Sequence, residues 1–478
     1  MNIIIIGAGV VGSLIARELC RYNVSVTLIE KNIDVGQEVT KANSAIIHAG
    51  YDDEPSSVRA KFCVKGNAMY TNLSQELDFE VKRIGSLVAA FNEEEVNTIT
   101  ELYNRGINNN VPNLKLISPE QALEIEPNLN PSVKAALYAP TAGITEPWTV
   151  AIAAVENAVA NGLNLVLEEK VTGIETQDKK VKKVITDKGS YTADIVINAA
   201  GLYADDIAAM VCSDYRPLHP RRGEYILLSK VTSSDLVKTI VFPAPGKMGK
   251  GVLVLPTIDG GILLGPTSQD LDQRYKEDKS TTQDGIDFII EKTRQLIPNI
   301  DIRNAIKTFA GLRPESPQKD FWIEESQEID GFINASAMRS PGLTAAPAVA
   351  MYISQQISQK YSLKPNLLFN PQRKRIVNYI NELGDEEYDA LIKQDPLAGK
   401  IICSCNKVSE REIIQAIKRG ARSIDGVKFR TRAMFGDCQG SFCTFKIMQI
   451  LSRELGIDYK DIRYNKPDSR PIVGNTRD

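Results

Sequence analysis

No apolar run in this sequence approaches the roughly 18 residues expected of a spanning helix, so nothing in it reads as a transmembrane segment. Charge of one sign is also scarce. Lys and Arg number 57 against 60 Asp and Glu, a net charge of −3, which gives no reason to expect nucleic acid or an anionic membrane as a partner. Internal repeats and low-complexity tracts are missing. The opening "MNIIIIGAGVVGSLIA" lacks the basic stretch of a secretory signal, and its glycines point to structure instead. Cysteine occurs seven times, an odd number placed too unevenly for a disulfide framework, so a reducing, cytoplasmic setting is expected. Histidine occurs only twice.

What is present is more specific. A chain of 478 residues predicts roughly three domains with a large core. "NIIIIGAGVVGSLIARELCRYNVSVTLIEKN" reads as strand, tight turn, helix, strand. Gly7, Gly9 and Gly12 give the G-x-G-x-x-G spacing in which backbone turns sharply and approaches a pyrophosphate at a helix start. Glu30 closes the second strand 18 residues after Gly12, where a carboxylate accepts ribose hydroxyls and repels a 2′-phosphate. The motif predicts a dinucleotide and does not choose between NAD and FAD.

Three further stretches make that choice: "GQEVTKANSAIIHAGY", "VINAAGLYADDIA" and "FINASAMRSPGLTAAPAVA". With them the chain resembles the D-amino-acid-oxidase and glycerol-3-phosphate-dehydrogenase superfamily of FAD enzymes, over roughly residues 1–365. The resemblance implies an α/β fold: a discontinuous Rossmann-like FAD domain (1–80, 146–214 and 311–365) and a β-rich substrate domain (81–145 and 215–310). It implies FAD contacts at Asn43, Ser44, Ala200, Gly201, Gly342, Leu343 and Thr344. Strands joined by Gly/Pro turns are predicted in the substrate segments, with a hairpin at Asp259-Gly260-Gly261. A helix is predicted to start near Pro147 and end at Gly162.

Four residues are candidates for chemistry. Arg313, in "GLRPE", offers a planar fork for a carboxylate or phosphate, and the superfamily places the matching Arg over the flavin. His48 falls where relatives have residues against the flavin ring, which suits it to take the hydroxyl proton as hydride leaves. Tyr51 is a candidate for orienting substrate, and Lys250 for neutralising a second anionic group.

Four cysteines gather late, as Cys403-x-Cys405 and, after a gap of 32 residues, Cys438-x4-Cys443. Two close thiolate pairs suit a pair of tetrahedral irons, and four thiolates also suit one zinc. "CSC", "VSEREIIQAIKRGARS" and "TRAMFGDCQGSFC" resemble the ferredoxin-like domain of bacterioferritin-associated ferredoxin, which carries a 2Fe–2S cluster. The resemblance implies a small C-terminal helical iron–sulfur domain (400–455), with the four cysteines as ligands, fused behind a flavin dehydrogenase. Ser409 and Glu412 form a capping box for its first helix, and Lys407, Arg430 and Arg432 are expected to offset the cluster's negative charge. A charged connector (366–399) precedes it, and a polar tail (456–478) is expected to dock on the surface or fray.

The whole arrangement resembles the anaerobic type of FAD-dependent glycerol-3-phosphate dehydrogenase, on "NSAIIHAGY", "KGVLVLP" and "LLGPT". L-2-hydroxyglutarate oxidases share "IIHAG" and "RGEY", and amino-acid dehydrogenases with fused ferredoxin modules are a third possibility. Where membrane-associated glycerol-3-phosphate dehydrogenases follow the His with Gly-Gly-Leu-Arg-Tyr, this chain has Ala49-Gly50-Tyr51-Asp52-Asp53-Glu54, so that Arg is absent. The resemblance implies FAD oxidation of a small anionic secondary alcohol. Electrons would pass through the cluster to a partner flavoprotein or other acceptor subunit of an oligomeric complex. An electron-transfer subunit without its own substrate is the alternative of another class.

Overall fold

The computed structural model describes residues 1–246, 251–376 and 382–474. The apolar run Asn2–Ile6 is the centre of a six-stranded sheet ordered Trp322–Glu325, Phe332–Ser336, Ile195–Asn198, Asn2–Ile6, Ser25–Ile29, Asn164–Val166. All pairs are parallel except the edge pair Trp322–Glu325 with Phe332–Ser336. Ile3, Ile4 and Ile5 are at most 1% exposed, because this strand is covered on both faces, and that is why it carries a run of isoleucines and no alternation. Helices Val10–Leu19, Pro147–Ala160 and Gly342–Tyr361 pack on one face through Leu14, Ile15, Val150, Ala154, Ala346 and Val349. An antiparallel trio, Val171–Gln177, Lys180–Thr186 and Ser190–Thr192, covers the other with Val171, Val181 and Val184.

The segments expected to form the substrate domain supply a nine-stranded sheet. Its longest pairing runs antiparallel from His219↔Glu315 to Leu228↔Ala305. The strand Ala305–Glu315 crosses the expected boundary at 310 and carries Arg313 into this sheet, opposite Arg221. The hairpin at Asp259-Gly260-Gly261 joins Leu253–Pro256 to Ile262–Gly265, and Thr257 N donates to Gly261 O at 2.7 Å. Ile46–Ile47, Gly143–Thr145 and Val81–Lys82 form a small sheet that ties the two units together.

The C-terminal unit is a hairpin, Ile401–Cys403 with Val408–Ser409, followed by helices Glu410–Lys418, Ile424–Thr431 and Thr444–Leu455. Ile413, Ile417, Val427, Ile447 and Leu451 form its core. The Ser409 and Glu412 capping box is formed as expected. The connector follows the N-terminal α/β unit through Arg373–Glu156 at 2.9 Å and then forms the helix Asp385–Gln394. No helix among the described residues is long and apolar enough to cross a membrane.

Candidate functional site

A cavity of about 1200 Å³ runs from the glycine turn to the large sheet. At the turn, Gly7 has φ +100°, and a Cβ there would meet Ala199 O at 2.5 Å. Gly9 caps the helix Val10–Leu19, and Gly9, Val10 and Val11 line the cavity, so the helix start faces it, with Val10 N–H donating to Thr40 Oγ1 at 3.1 Å. Gly12 is different. It does not line the cavity; a Cβ there would lie 2.0 Å from Gly7 O, so its part is to let helix and strand approach. Glu30 lines the cavity beyond the turn. Its carboxylate accepts from Ala8 N at 2.8 Å and from Asn32 N and Nδ2 at 2.9 and 2.7 Å. Burial pushes its pKa up, and these donors pull it back down. Ala200 and Gly201 stand in the facing wall.

The other end is built by residues far apart in sequence. Asn43, Ser44, His48, Arg313, Gly342 and Leu343 line it. Asn43 is fixed by donating to Val39 O at 2.8 Å and accepting from Ala45 N at 2.7 Å; Ser44 Oγ lies 3.2 Å from the Tyr225 hydroxyl. His48 Nε2 is 3.1 Å from Ser340 Oγ, while its backbone N–H donates to Thr344 Oγ1 at 2.9 Å. Thr344 is fully buried and off the cavity lining, so it fastens the helix Gly342–Tyr361 to the His48 strand without facing the cavity. Arg313 donates to Arg221 O, Arg222 O and Thr267 O at 3.3, 3.4 and 2.9 Å, with no carboxylate at ion-pair distance among the described residues. Burial lowers its pKa, the neighbouring Arg221 and Arg339 add to that, and Tyr225 and Glu315 oppose it.

Two candidates are not brought to the cavity. Tyr51 is 7% exposed, packs in the core with Ile99, Leu102 and Leu114, and does not line the cavity, so the structure gives it packing and not substrate orientation. Lys250 lies outside the described residues. The sequence reading also missed cations. Arg59, Arg221 and Arg339 line the cavity, held by Asp53 at 3.5 Å, Glu315 at 2.8 Å and Glu315 at 2.8 Å. The acids that replace the family's arginine motif therefore include one, Asp53, that holds an arginine from the next helix. The only sequence signal was position, Arg221 in "RRGEY" and Arg339 just before Ser340-Pro341-Gly342.

The four late cysteines form two pairs. Cys405 Sγ and Cys438 Sγ are 3.7 Å apart, Cys405 exposed; Cys403 and Cys443 are each 1% exposed, and the influence of each thiol on the other holds Cys403 well below its ordinary pKa and raises Cys443. Two thiol pairs are what a binuclear cluster asks for, two ligands to each iron, whereas one zinc needs all four at a point. Among the described residues no three His, Cys, Asp or Glu side chains gather to hold one ion.

The basic residues near these thiols have another use. Arg430 makes a buried bidentate pair with Asp34, and Arg432 reaches Glu146 at 2.7 Å and Glu80 at 3.2 Å. They anchor the C-terminal unit to the FAD unit, which corrects the expectation that they serve the cluster's charge; Lys407 remains exposed. Trp148 stacks on Phe435 at 5.5 Å and tilts against Phe429 at 5.4 Å, and Lys41 lies over Phe429 at 5.3 Å. Lys41 belongs to the 37–44 loop that walls the cavity.

Residues 2–356 match the FAD dependent oxidoreductase family, and the chain belongs to it. It is an FAD-dependent oxidoreductase. Residues 401–453 match the BFD-like 2Fe-2S binding domain, so FAD and a 2Fe–2S cluster are its cofactors. The chain is 46% identical to glycerol 3-phosphate dehydrogenase of Caloramator mitchellensis, over 100% of this chain and 99% of that one. It is 27% identical to human mitochondrial L-2-hydroxyglutarate dehydrogenase over 76% of this chain and 89% of the relative. Dithionite-reduced L-α-glycerophosphate oxidase from Mycoplasma pneumoniae with FAD bound superposes with a TM-score of 0.74 at 31% identity, covering 79% of this chain and 99% of that one.

The FAD placement has a direct check. Glu30→Arg puts a cation where two ribose hydroxyls are to be accepted and breaks three hydrogen bonds, one from Ala8 in the turn and two from Asn32. The variant is expected to purify with most of its flavin lost, read as the ratio of flavin to protein absorbance; full occupancy would move the ribose elsewhere.

Proposed function

We propose that this chain oxidises glycerol 3-phosphate to dihydroxyacetone phosphate and passes the electrons through its C-terminal 2Fe–2S module to a separate redox protein. The observation that carries the substrate reading is Arg313, a guanidinium with no carboxylate partner among the described residues, lining the same cavity as His48. A small anion satisfies that fork, and Arg59 and Arg339 extend the cationic wall. Bound FAD supplies the two-electron acceptor for the hydride from C2. His48 takes the hydroxyl proton, its ring set by Ser340 and its backbone by Thr344. The relatives of this fold named for glycerol phosphate support the choice over other secondary alcohols.

The hand-off rests on two observations. The C-terminal unit packs on the loop that walls the cavity, through Lys41, Phe429 and Trp148. Cys405, Phe442 and Phe445 of this unit are exposed, surface that an acceptor subunit can cover.

Anaerobic mixing of the purified chain with glycerol 3-phosphate, L-2-hydroxyglutarate, L-lactate, proline or sarcosine tests the substrate. Flavin bleaching fastest with glycerol 3-phosphate is expected; faster bleaching by another member replaces it. His48→Asn should slow that bleaching by about a hundredfold or more, the usual worth of a positioned base, with substrate affinity kept. An unaltered single-turnover rate would leave His48 a packing role.

A further inference from the structure

Lys466 and Pro467, in the tail expected only to dock or fray, line the cofactor cavity. Their place along it is fixed by hydrogen bonds. The glycine turn takes the pyrophosphate and Glu30 the ribose, and the chain beyond Glu30 is bound to it. Glu169 N donates to Glu30 O and Glu168 N to Asn32 O, both at 3.0 Å. Glu169, Lys170, Val171 and Asp187 continue the wall on that side. Arg463 pairs with Glu168 at 2.5 Å, so the tail is fastened beside the far end from the flavin.

The segment is ordered from two directions. Within it, Tyr464 N donates to Ser469 O at 2.8 Å, and Asn465 N and Lys466 N donate to Ser469 Oγ at 3.0 and 2.8 Å. Toward the iron–sulfur unit, Arg463 O and Tyr464 O accept from Ile424 N and Asp425 N at 3.0 and 3.1 Å. These are the first N–H groups of the helix Ile424–Thr431, which have no partner inside it. Asn465 Nδ2 adds a bond to Asp425 Oδ2 at 2.6 Å. The tail is therefore placed by the fold of the C-terminal unit.

We propose that the turn 464–469 completes the FAD site by covering its adenosine half, with Pro467 as an apolar cover and Lys466 as a cation. Lys466 has no carboxylate at ion-pair distance among the described residues. FAD retention is thereby coupled to the iron–sulfur unit. The glycerophosphate oxidase structure holds FAD while matching only 79% of this chain. The turn adds retention to a site that the N-terminal fold already makes.

The test compares wild type with Lys466→Glu, Arg463→Ala and a chain ending at Ile462. FAD release is followed by recovery of free flavin fluorescence, FMN binding to the apoprotein by its quenching, and iron by metal analysis. FAD is expected to leave about tenfold faster from each variant, equal to roughly 1.4 kcal/mol of lost contact. FMN, which has no adenosine, should bind all four alike, and iron should stay constant in the two point variants. FAD release unchanged in both point variants overturns the proposal. So does an equal loss of FMN and FAD, because the tail would then act on the fold and not on adenosine.

Discussion

Arg313→Lys is expected to purify with its FAD and to require about a hundredfold more glycerol 3-phosphate for half-maximal flavin reduction, the equivalent of roughly two charge-assisted hydrogen bonds at about 1.5 kcal/mol each. The charge survives in this variant, so the effect isolates the fork. Three backbone carbonyls, from Arg221, Arg222 and Thr267, hold the native guanidinium against the sheet. A lysine ammonium is a compact point charge on a flexible stem and cannot both stay on those carbonyls and meet two anionic oxygens. Because the interaction is made equally in ground and transition states, KM should rise with kcat little changed. Arg313→Met removes the charge as well and should weaken binding further. A KM equal to wild type in both variants would take Arg313 out of the substrate site.

The glycine turn was legible because strand, turn, helix start and Glu30 fall within one contiguous stretch, where local rules decide. The same holds for the helix from Pro147, the Ser409 and Glu412 capping box and the turn at Asp259-Gly260-Gly261. Tyr51 shows where local reasoning fails. It stands three residues from His48, but Gly50 at φ +112° turns the chain between them, and Tyr51 enters the core, where its Cβ abuts the site of Gly106. Arg430 and Arg432 sit beside the cysteines in sequence, which suggested a role at the cluster; their partners Asp34, Glu80 and Glu146 lie hundreds of residues earlier, and no local pattern announces them. Arg59, Arg221 and Arg339 reach one cavity from a helix start, a sheet strand and a loop before a helix, and only the assembled fold brings them together. Gly12 and Thr344 belong to recognisable site motifs yet serve packing, because a motif records what the backbone needs as well as what the ligand touches.

Replacing Cys438 and Cys443 by serine should remove the cluster and stop turnover with a protein acceptor, while substrate still bleaches the flavin. Together the two serines take one thiol from each pair, Cys405–Cys438 and Cys403–Cys443, so neither iron would keep two soft ligands. The proposed substrate residues, His48 and Arg313, lie in other units. The docking contacts Arg430–Asp34 and Arg432–Glu146 involve no cysteine, so the module should stay in place and the FAD site should be undisturbed. A small dye that takes electrons from flavin directly should therefore still support turnover, which separates a broken exit from a broken active site. Loss of bleaching by substrate would mean that the module shapes the catalytic cavity. Metal analysis of anaerobically purified wild type sets the baseline: about two irons with matching acid-labile sulfide per chain is the value for one 2Fe–2S cluster. Wild-type rates with a protein acceptor that survive in the double variant would place the electron exit at the flavin itself and leave the module a structural part of the chain.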